Sequence, residues 1–579
     1  MYIFYLTIFF VKEFLNLKRL LGDIIVIFRL CKNPIHFFIN KKKIIFSDEN
    51  LNKYLKLNTE IWRKEKYKNL NSKKKILVES LINHPHYLIP NCIIGKKLSL
   101  THNLECVGLI KKNDLVAKKI MQSYGINEII ELSDNNIFLK IKFFVQSLGY
   151  LNSKISMKSL INLKIKNIEI GKNLYESYMR YKKDPDPKKV NFSFYYLLSK
   201  ILYNNYLTNI ILNKYKFAYL IQSEKQFIPF RVLFQNALKR KIKIYTRYGL
   251  KEVAVKRYDK FKDINQNRAS ISKDVFNYFY SKHKNKILIL AEKYFSKNLK
   301  KEIGKEVFQK IKKNNKSFEK KKIFDKKSIC DLYNWDINTP IVFVLSHNLI
   351  DGNFVNKWNL FINNKEWLVE TLKIINKNDH INWFIKSHPS EKHYNSKITT
   401  NQIFNKIIGK PKKNIKLFPD NIAIQSIQKI SNVIVTSHGS AGFEYPILKK
   451  PTIICGDTYY RGFGFNIEPK TKLNYFKLLG KINKIKMINK KQYEKSIIYG
   501  YLFKFLTKIK MPMIPYSDIT MNYDKKKFWK TSYSLLKKTN KNTNNLFKSL
   551  NYQFSNDKEN LIDLSKIKFA KNYIKNRVQ

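Results

Sequence analysis

The sequence predicts an α/β protein of two Rossmann-like domains, with added N-terminal and C-terminal helical segments. Three observations predict it. The 579 residues exceed what one hydrophobic core usually serves, roughly 250–300. Hydrophobic residues make up 44% of the chain, enough for real cores. Short β-branched runs alternate with helical stretches, the pattern of parallel sheets covered by helices.

Taken in order, residues 1–75 read as an apolar and basic helical segment. It opens with MYIFYLTIFFV, whose uncharged run is shorter than the about 20 apolar residues that span a bilayer; the basic leader of a signal peptide is missing. Two readings of residues 1–30 stay open. One is an interfacial segment with Lys12, Lys18, Arg19 and Arg29 near anionic lipid; the other is a helix packed on the first domain.

The first domain, 76–330, begins with the strands ILVESL (76–81), CVGLI (106–110) and EIIEL (128–132), with a helix ending on Gly125 between the last two. An aromatic helix over 193–213 leads to the strand FAYLIQS (217–223), a helix opened by Pro229, and the strand IKIYTRYG (242–249). Glu224, Arg247 and Tyr248 fall at carboxyl ends of these strands, where α/β sheets bind ligands; acceptor binding competes there with ordinary surface roles. Lysine-rich helices over 283–328 lead to a boundary near 325–337.

The second domain, 331–485, carries a strand in IVFVL (341–345), strand plus loop in INWFIKSHPSE (381–391), strand plus turn in NIKLFPD (414–420), strand, loop and helix in NVIVTSHGSAGFEYPILKK (432–450) and a strand in PTIICGD (451–457), with helices over 365–378 and 422–430. The unbroken IVFVL run marks a strand buried on both faces. A lysine-rich tail, 486–579, holds a helix near 525–538.

Four segments of the second domain carry candidate chemistry. Ser437-His438-Gly439-Ser440-Ala441-Gly442 joins a strand to a helix, so unpaired backbone N–H groups and the helix dipole are expected to face a phosphate or diphosphate. Gly439 and Gly442 allow close backbone approach, Ser437 and Ser440 add hydroxyls, His438 donates to an anion, and Glu444 accepts from ribose hydroxyls. Plain helix capping by Ser440 is the ordinary alternative. KSHPSE places His388, with Lys386 nearby, on a loop toward the interdomain cleft, suited to a donor phosphate or sugar; a satisfied structural histidine is the ordinary alternative. SHNLIDG brings His347 and Asp351; Asp351 is a candidate general base or nucleophile, or part of an Asp-Gly turn. The loop 456–470 offers Arg461 for phosphate and Tyr459 or Tyr460 for stacking. No metal ligands are assigned, on the expectation that the carboxylates form no D-x-D pair, and no cofactor is expected beyond a nucleotide-sugar substrate.

Lys and Arg number 111 against 43 acidic residues, a formal charge of +68 that attracts nucleic acid, acidic lipid or phosphorylated sugars. Lysine is spread along the whole chain and no nucleic-acid module appears, which argues against nucleic acid. Cys31, Cys92, Cys106, Cys330 and Cys455 are odd in number and widely spaced, so neither a disulfide framework nor a zinc site is indicated, and a reducing cytosol fits.

KSHPSE, TSHGSAGFEYPILKKP and GDTYYRGFGF resemble the capsule polysaccharide biosynthesis proteins that include the Kdo transferases of capsule linkers. The resemblance covers residues of about 340–470. It implies a GT-B-like arrangement, a CMP- or other nucleotide-activated sugar donor, and a glycan or glycolipid acceptor. It also implies a glycosyltransferase with a cytoplasmic site; metal-independent transfer follows from the expected lack of a D-x-D pair, and peripheral contact at the inner face of the membrane from the interfacial reading of residues 1–30. Kdo-transferring members carry a glutamine and acidic residues where this chain has SHNLIDG, which puts the donor and Asp351 as catalyst in question. Two alternatives share parts of the pattern: a CDP-glycerol-type polyol-phosphate transferase and a non-catalytic polysaccharide assembly factor.

Overall fold

Two sheets organise the computed structural model, and both use one strand order. The structure describes residues 48–573 except 64–72, 83, 134–135, 167, 250–251, 303–320, 355–358, 516–523, 540–543 and 571–572. The expectations for residues 1–47, including the interfacial segment and Cys31, lie outside the described residues.

The strands are β1 (Lys74–Ser80), β2 (Glu105–Lys111), β3 (Glu128–Leu132), β4 (Lys164–Ile165), β5 (Ile168–Glu169), β6 (Lys216–Gln222), β7 (Lys243–Tyr248), β8 (Glu252–Tyr258), β9 (Ile341–Leu345), β10 (Asn382–Lys386), β11 (Ile415–Leu417), β12 (Val433–Thr436), β13 (Thr452–Ile454) and β14 (Ile509–Lys510). The first sheet runs β3-β2-β1-β6-β7-β8-β14, parallel as far as β7 and antiparallel beyond it. The second runs β11-β10-β9-β12-β13 and is wholly parallel. Each parallel part therefore starts at its centre, builds outward on one side, then reverses to build on the other. The crevice at the reversal, outside the carboxyl ends of the strands, is where such sheets bind ligands. The reversals fall between β1 and β6 and between β9 and β12.

Strand β9 shows why the second sheet is buried on both faces. Val342 and Val344 pack with Trp367, Leu372 and Trp383 on one side, while Ile341 and Phe343 pack with Phe384 and Ile434 on the other. Seven helices matter below: α1 (Glu49–Arg63), α2 (Pro85–His102), α3 (Gly171–Lys182), α4 (Ala441–Ile447), α5 (Lys490–Tyr501), α6 (Lys525–Lys537) and α7 (Asn545–Ser555). In α1, Leu51, Tyr54, Asn58 and Trp62 recur at helical spacing and turn to the first sheet, where the Tyr54 hydroxyl lies 2.8 Å from that of Tyr124.

The segment after 486 is more than a tail. Helix α5 packs on α4 of the second domain, but β14 extends the first sheet. Phe528, Trp529, Phe547 and Leu550 of α6 and α7 join Ile76 and Val78 in one core. Among the described residues, Cys92, Cys106, Cys330 and Cys455 are buried free thiols, and no helix is long and apolar enough to cross a membrane.

Candidate functional site

Three neighbouring parallel strands end alike. β10, β9 and β12 run into Ser387-His388, Ser346-His347 and Ser437-His438. Lys386 and Thr436 both pair with Leu345, so the three Ser-His pairs leave the sheet at one level. The ring of His347 lies 4.0 Å from that of His438 and 5.5 Å from that of His388, centre to centre. The cluster sits at the β9/β12 reversal.

Hydrogen bonds assign the proton on His388. The Ser390 N–H donates to its Nδ1 at 3.3 Å, so the ring hydrogen belongs on Nε2. Ser390 is itself held, its hydroxyl oxygen accepting from the Asn348 amide at 2.9 Å. His438 Nδ1 lies 3.0 Å from the Ser437 hydroxyl, and His347 Nδ1 lies 3.1 Å from the Asn364 amide. Burial is the main force lowering all three imidazole pKa values. For His388, burial, His347 and Lys386 push it down to about 3; His438 is held well below its ordinary range. The cluster is therefore neutral at pH 7.

The Ser437–Glu444 segment differs from expectation. The N–H groups of Gly442 and Phe443, expected to face a phosphate, donate at 3.1 Å to the carbonyls of Gly439 and Ser440. Helix α4 has only 7 residues, starting at Ala441, and the exposed Ser440 makes no side-chain cap. Gly442 serves packing rather than ligand approach, because a Cβ there would collide with the Tyr460 hydroxyl, which donates to the Gly439 carbonyl. At Gly439 a Cβ would have room, 3.4 Å from Thr436 Oγ1. Glu444 is paired with Lys504 at 3.4 Å. Arg461 braces its own loop, donating to the carbonyls of Gly456 at 3.2 Å and Pro469 at 3.1 Å. Tyr460 is fully buried and Tyr459 stacks on Phe503 at 4.9 Å, so neither ring is presented to a ligand. Lys386 donates to the Ser387 carbonyl at 3.3 Å, beside His388.

Asp351 reaches across to the first domain, 3.3 Å from Arg180 of α3, whose guanidinium also lies 3.8 Å over the Tyr394 ring. One turn earlier on α3 is Glu176, which the sequence reading missed. It is 2% exposed and pushed up to about 8, chiefly by burial and next by the charge of Asp351. The Phe354 N–H donates to its carboxyl group, while Oε1 has no hydrogen-bond partner. The available signal was a carboxyl on an apolar helix face, among Leu174, Tyr175, Tyr178 and Met179.

The expectation of no D-x-D pair also needs correction, since Asp184-Pro185-Asp186 is one. Asp186 is bound by Lys365 and, at 2.7 Å, by Lys188; its N–H donates to Asp184 at 2.9 Å. Among the described residues no group of three or more His, Cys, Asp or Glu is placed to hold a metal ion. Glu224, Arg247 and Tyr248 do sit at carboxyl ends of β6 and β7, with Glu224 paired to Arg268 at 3.2 Å.

No family model and no curated protein matches this sequence. Solved structures similar to it include a Thermosulfurimonas dismutans KpsC, a β-Kdo 2,4 transferase, at 12% identity over 49% of this chain and 79% of that one, with a TM-score of 0.30. An S. aureus MnaA–UDP structure is similar at 12% identity over 74% and 91%, with a TM-score of 0.24. A glycosyltransferase from Rickettsia africae ESF-5 is similar at 13% identity over 74% and 94%, also with a TM-score of 0.24.

Proposed function

We propose that this chain is a GT-B-like glycosyltransferase, moving a sugar from a nucleotide-activated donor to a glycan or glycolipid acceptor in capsule or surface polysaccharide synthesis. CMP-linked sugars are among the candidate donors. The observation that carries the reading is the convergence of three neutral histidines at the β9/β12 reversal. A neutral imidazole with its hydrogen on Nε2 donates to a phosphate oxygen without giving up a favourable charge state. As the bond from the sugar to the donor phosphate breaks, negative charge grows on the leaving nucleotide. Donors fixed in a partly buried site stabilise that charge more than they stabilise the intact donor. His388 and His438 take this role, with Ser437, Gly439, Ser440, Ala441 and Lys386 bordering the same edge.

The acceptor hydroxyl attacks the anomeric carbon and must lose its proton. Glu176 is the group suited to take it in its ionised form, which prevails above about pH 8 and is a strong base for a carboxylate. Burial, and next the negative charge of Asp351 held by Arg180, keep Glu176 basic. The four buried free thiols among the described residues fit a reducing, cytoplasmic setting, with contact at the inner membrane face through the acceptor.

The test is thermal stabilisation by CMP, CDP, UDP and GDP. A nucleotide at about 100 times its dissociation constant stabilises the native state by roughly 2.7 kcal/mol. One of the four is expected to do so, and His388→Gln and His438→Ala are expected to lose the effect. No stabilisation by any nucleotide sinks the reading and favours the assembly factor. CDP selectivity with turnover of CDP-glycerol favours the polyol-phosphate transferase.

A further inference from the structure

The first sheet has its own reversal, between β1 and β6, and the groups near it take no part in the proposed donor site. Arg247, in β7, is 3% exposed. Its Nη1 donates to the Gly249 carbonyl, and its guanidinium lies 4.4 Å from the ring centre of Tyr87. Its Nε and Nη2 have no hydrogen-bond partner. Those two atoms form one edge of the guanidinium, the edge that grips two oxygens of a carboxylate or phosphate at once.

Nearby acids are already engaged. The Glu79 carboxyl accepts from the N–H groups of Leu81 at 2.5 Å and Ser223 at 3.4 Å, and burial pushes it up to about 7. Glu224 is paired with Arg268. Tyr87 lies in the first turn of α2, an 18-residue helix, so the Arg247 charge sits against the positive end of a helix dipole. A buried cation without a hydrogen-bonded counter-ion is costly there, and an oxyanion relieves both charges. Glu224 and Asp351 both act on Glu176, so this edge of the first domain adjoins the cleft that holds the histidines.

We propose that the Nε/Nη2 edge of Arg247, at the first turn of α2, binds an oxyanion carried by the acceptor, either a sugar carboxylate or a phosphate group. Calling the ligand an acceptor rests on the glycosyltransferase reading; the anion site does not. Tyr87, Glu224, Arg268 and the 39%-exposed Tyr248 are partly exposed, so the anion enters past them.

The test titrates the full-length protein calorimetrically with glucuronate, glucose 1-phosphate and neutral glucose. At least one anion is expected to bind and glucose is not; which anion binds identifies carboxylate or phosphate as the source. Arg247→Gln is expected to weaken that binding at least about 30-fold, and Arg247→Lys less, because an ammonium keeps the charge and loses the fork. The ligand-free melting temperature of Arg247→Gln is expected to equal or exceed that of the unmodified protein, whereas a purely structural arginine would lower it. Equal anion affinity in Arg247→Gln, no anion binding at all, or displacement of the anion by nucleotide each overturns the proposal. Anion binding that depends on Arg247, in a protein that binds no nucleotide, supports this site and sinks the donor-site reading instead.

Discussion

The two sheets share a strand order and differ in what stands at their reversals. At β9/β12 the sheet edge carries three imidazoles, all neutral at pH 7, chiefly because burial penalises their charged form. Near β1/β6 it carries full charges and a half-titrated carboxyl: Arg247, Arg268, Glu224 and Glu79. One architecture thus presents a soft hydrogen-bonding surface in one domain and a charged one in the other. The strand order supplies a crevice, and the residues just past the strand ends decide what the crevice prefers.

The largest expected effect concerns Glu176, where the two edges meet. Glu176→Gln should reduce turnover by about 10²–10⁴-fold, as for loss of a general base, with nucleotide affinity unchanged. Equal turnover would remove the group that joins the two edges chemically. Next comes a pH contrast. The raised pKa of Glu79 means its contribution is fully present below 4.5 and is lost as pH rises through about 7. Glu79→Gln should therefore abolish a loss of about 3 kcal/mol in unfolding free energy between pH 4.5 and 8. The histidines work in the opposite sense. His388 binds its proton near 3 when folded and near 6.5 when unfolded, so stability falls as pH drops from 6.5 toward 3. His388→Gln should flatten that acid limb in denaturant titrations, and an unchanged slope would show the cluster to be more solvated than its geometry implies. The smallest effect belongs to Asp351→Asn. Its ion pair with Arg180 is about one-third exposed on both sides, so stability should change by less than about 1 kcal/mol. The same variant should lower the apparent pKa of Glu176 in the pH–rate profile, because a neighbouring negative charge is removed.

Much of this was legible in the sequence, for local reasons. The IVFVL strand falls at 341–345 as read, and β10, β12 and β13 lie within the segments assigned to them. Period and flanking prolines are properties of a few adjacent residues, so they survive in one dimension. The histidines were legible one at a time, but their meeting depends on parallel register across β10, β9 and β12, which no single segment encodes. Glu176 escaped for the same reason in stronger form. It acts with Asp351 and the Phe354 N–H, which belong to the other domain's loop. Gly442 was read as leaving room for a ligand and instead leaves room for Tyr460, since an absent side chain does not say which neighbour fills the gap.

The core beneath β1 and β2 draws on both ends of the described chain: Leu51, Tyr54 and Trp62 from one side, Phe528, Trp529, Phe547 and Phe554 from the other. On the ribosome this core stays open until residues past 554 have emerged. The two cores that flank β9 draw on residues between 324 and 485 and can close earlier. The two cores that flank β9 can thus close before the core beneath β1 and β2, whereas the part of the second domain that carries Phe443, Ile447 and Ile454 waits, like that face of the first sheet, for residues past 562. Such waiting is where non-local topologies are slow and aggregation-exposed. Expression yield should therefore be more sensitive to changes in the 524–562 segment than to comparable changes in the 341–482 domain.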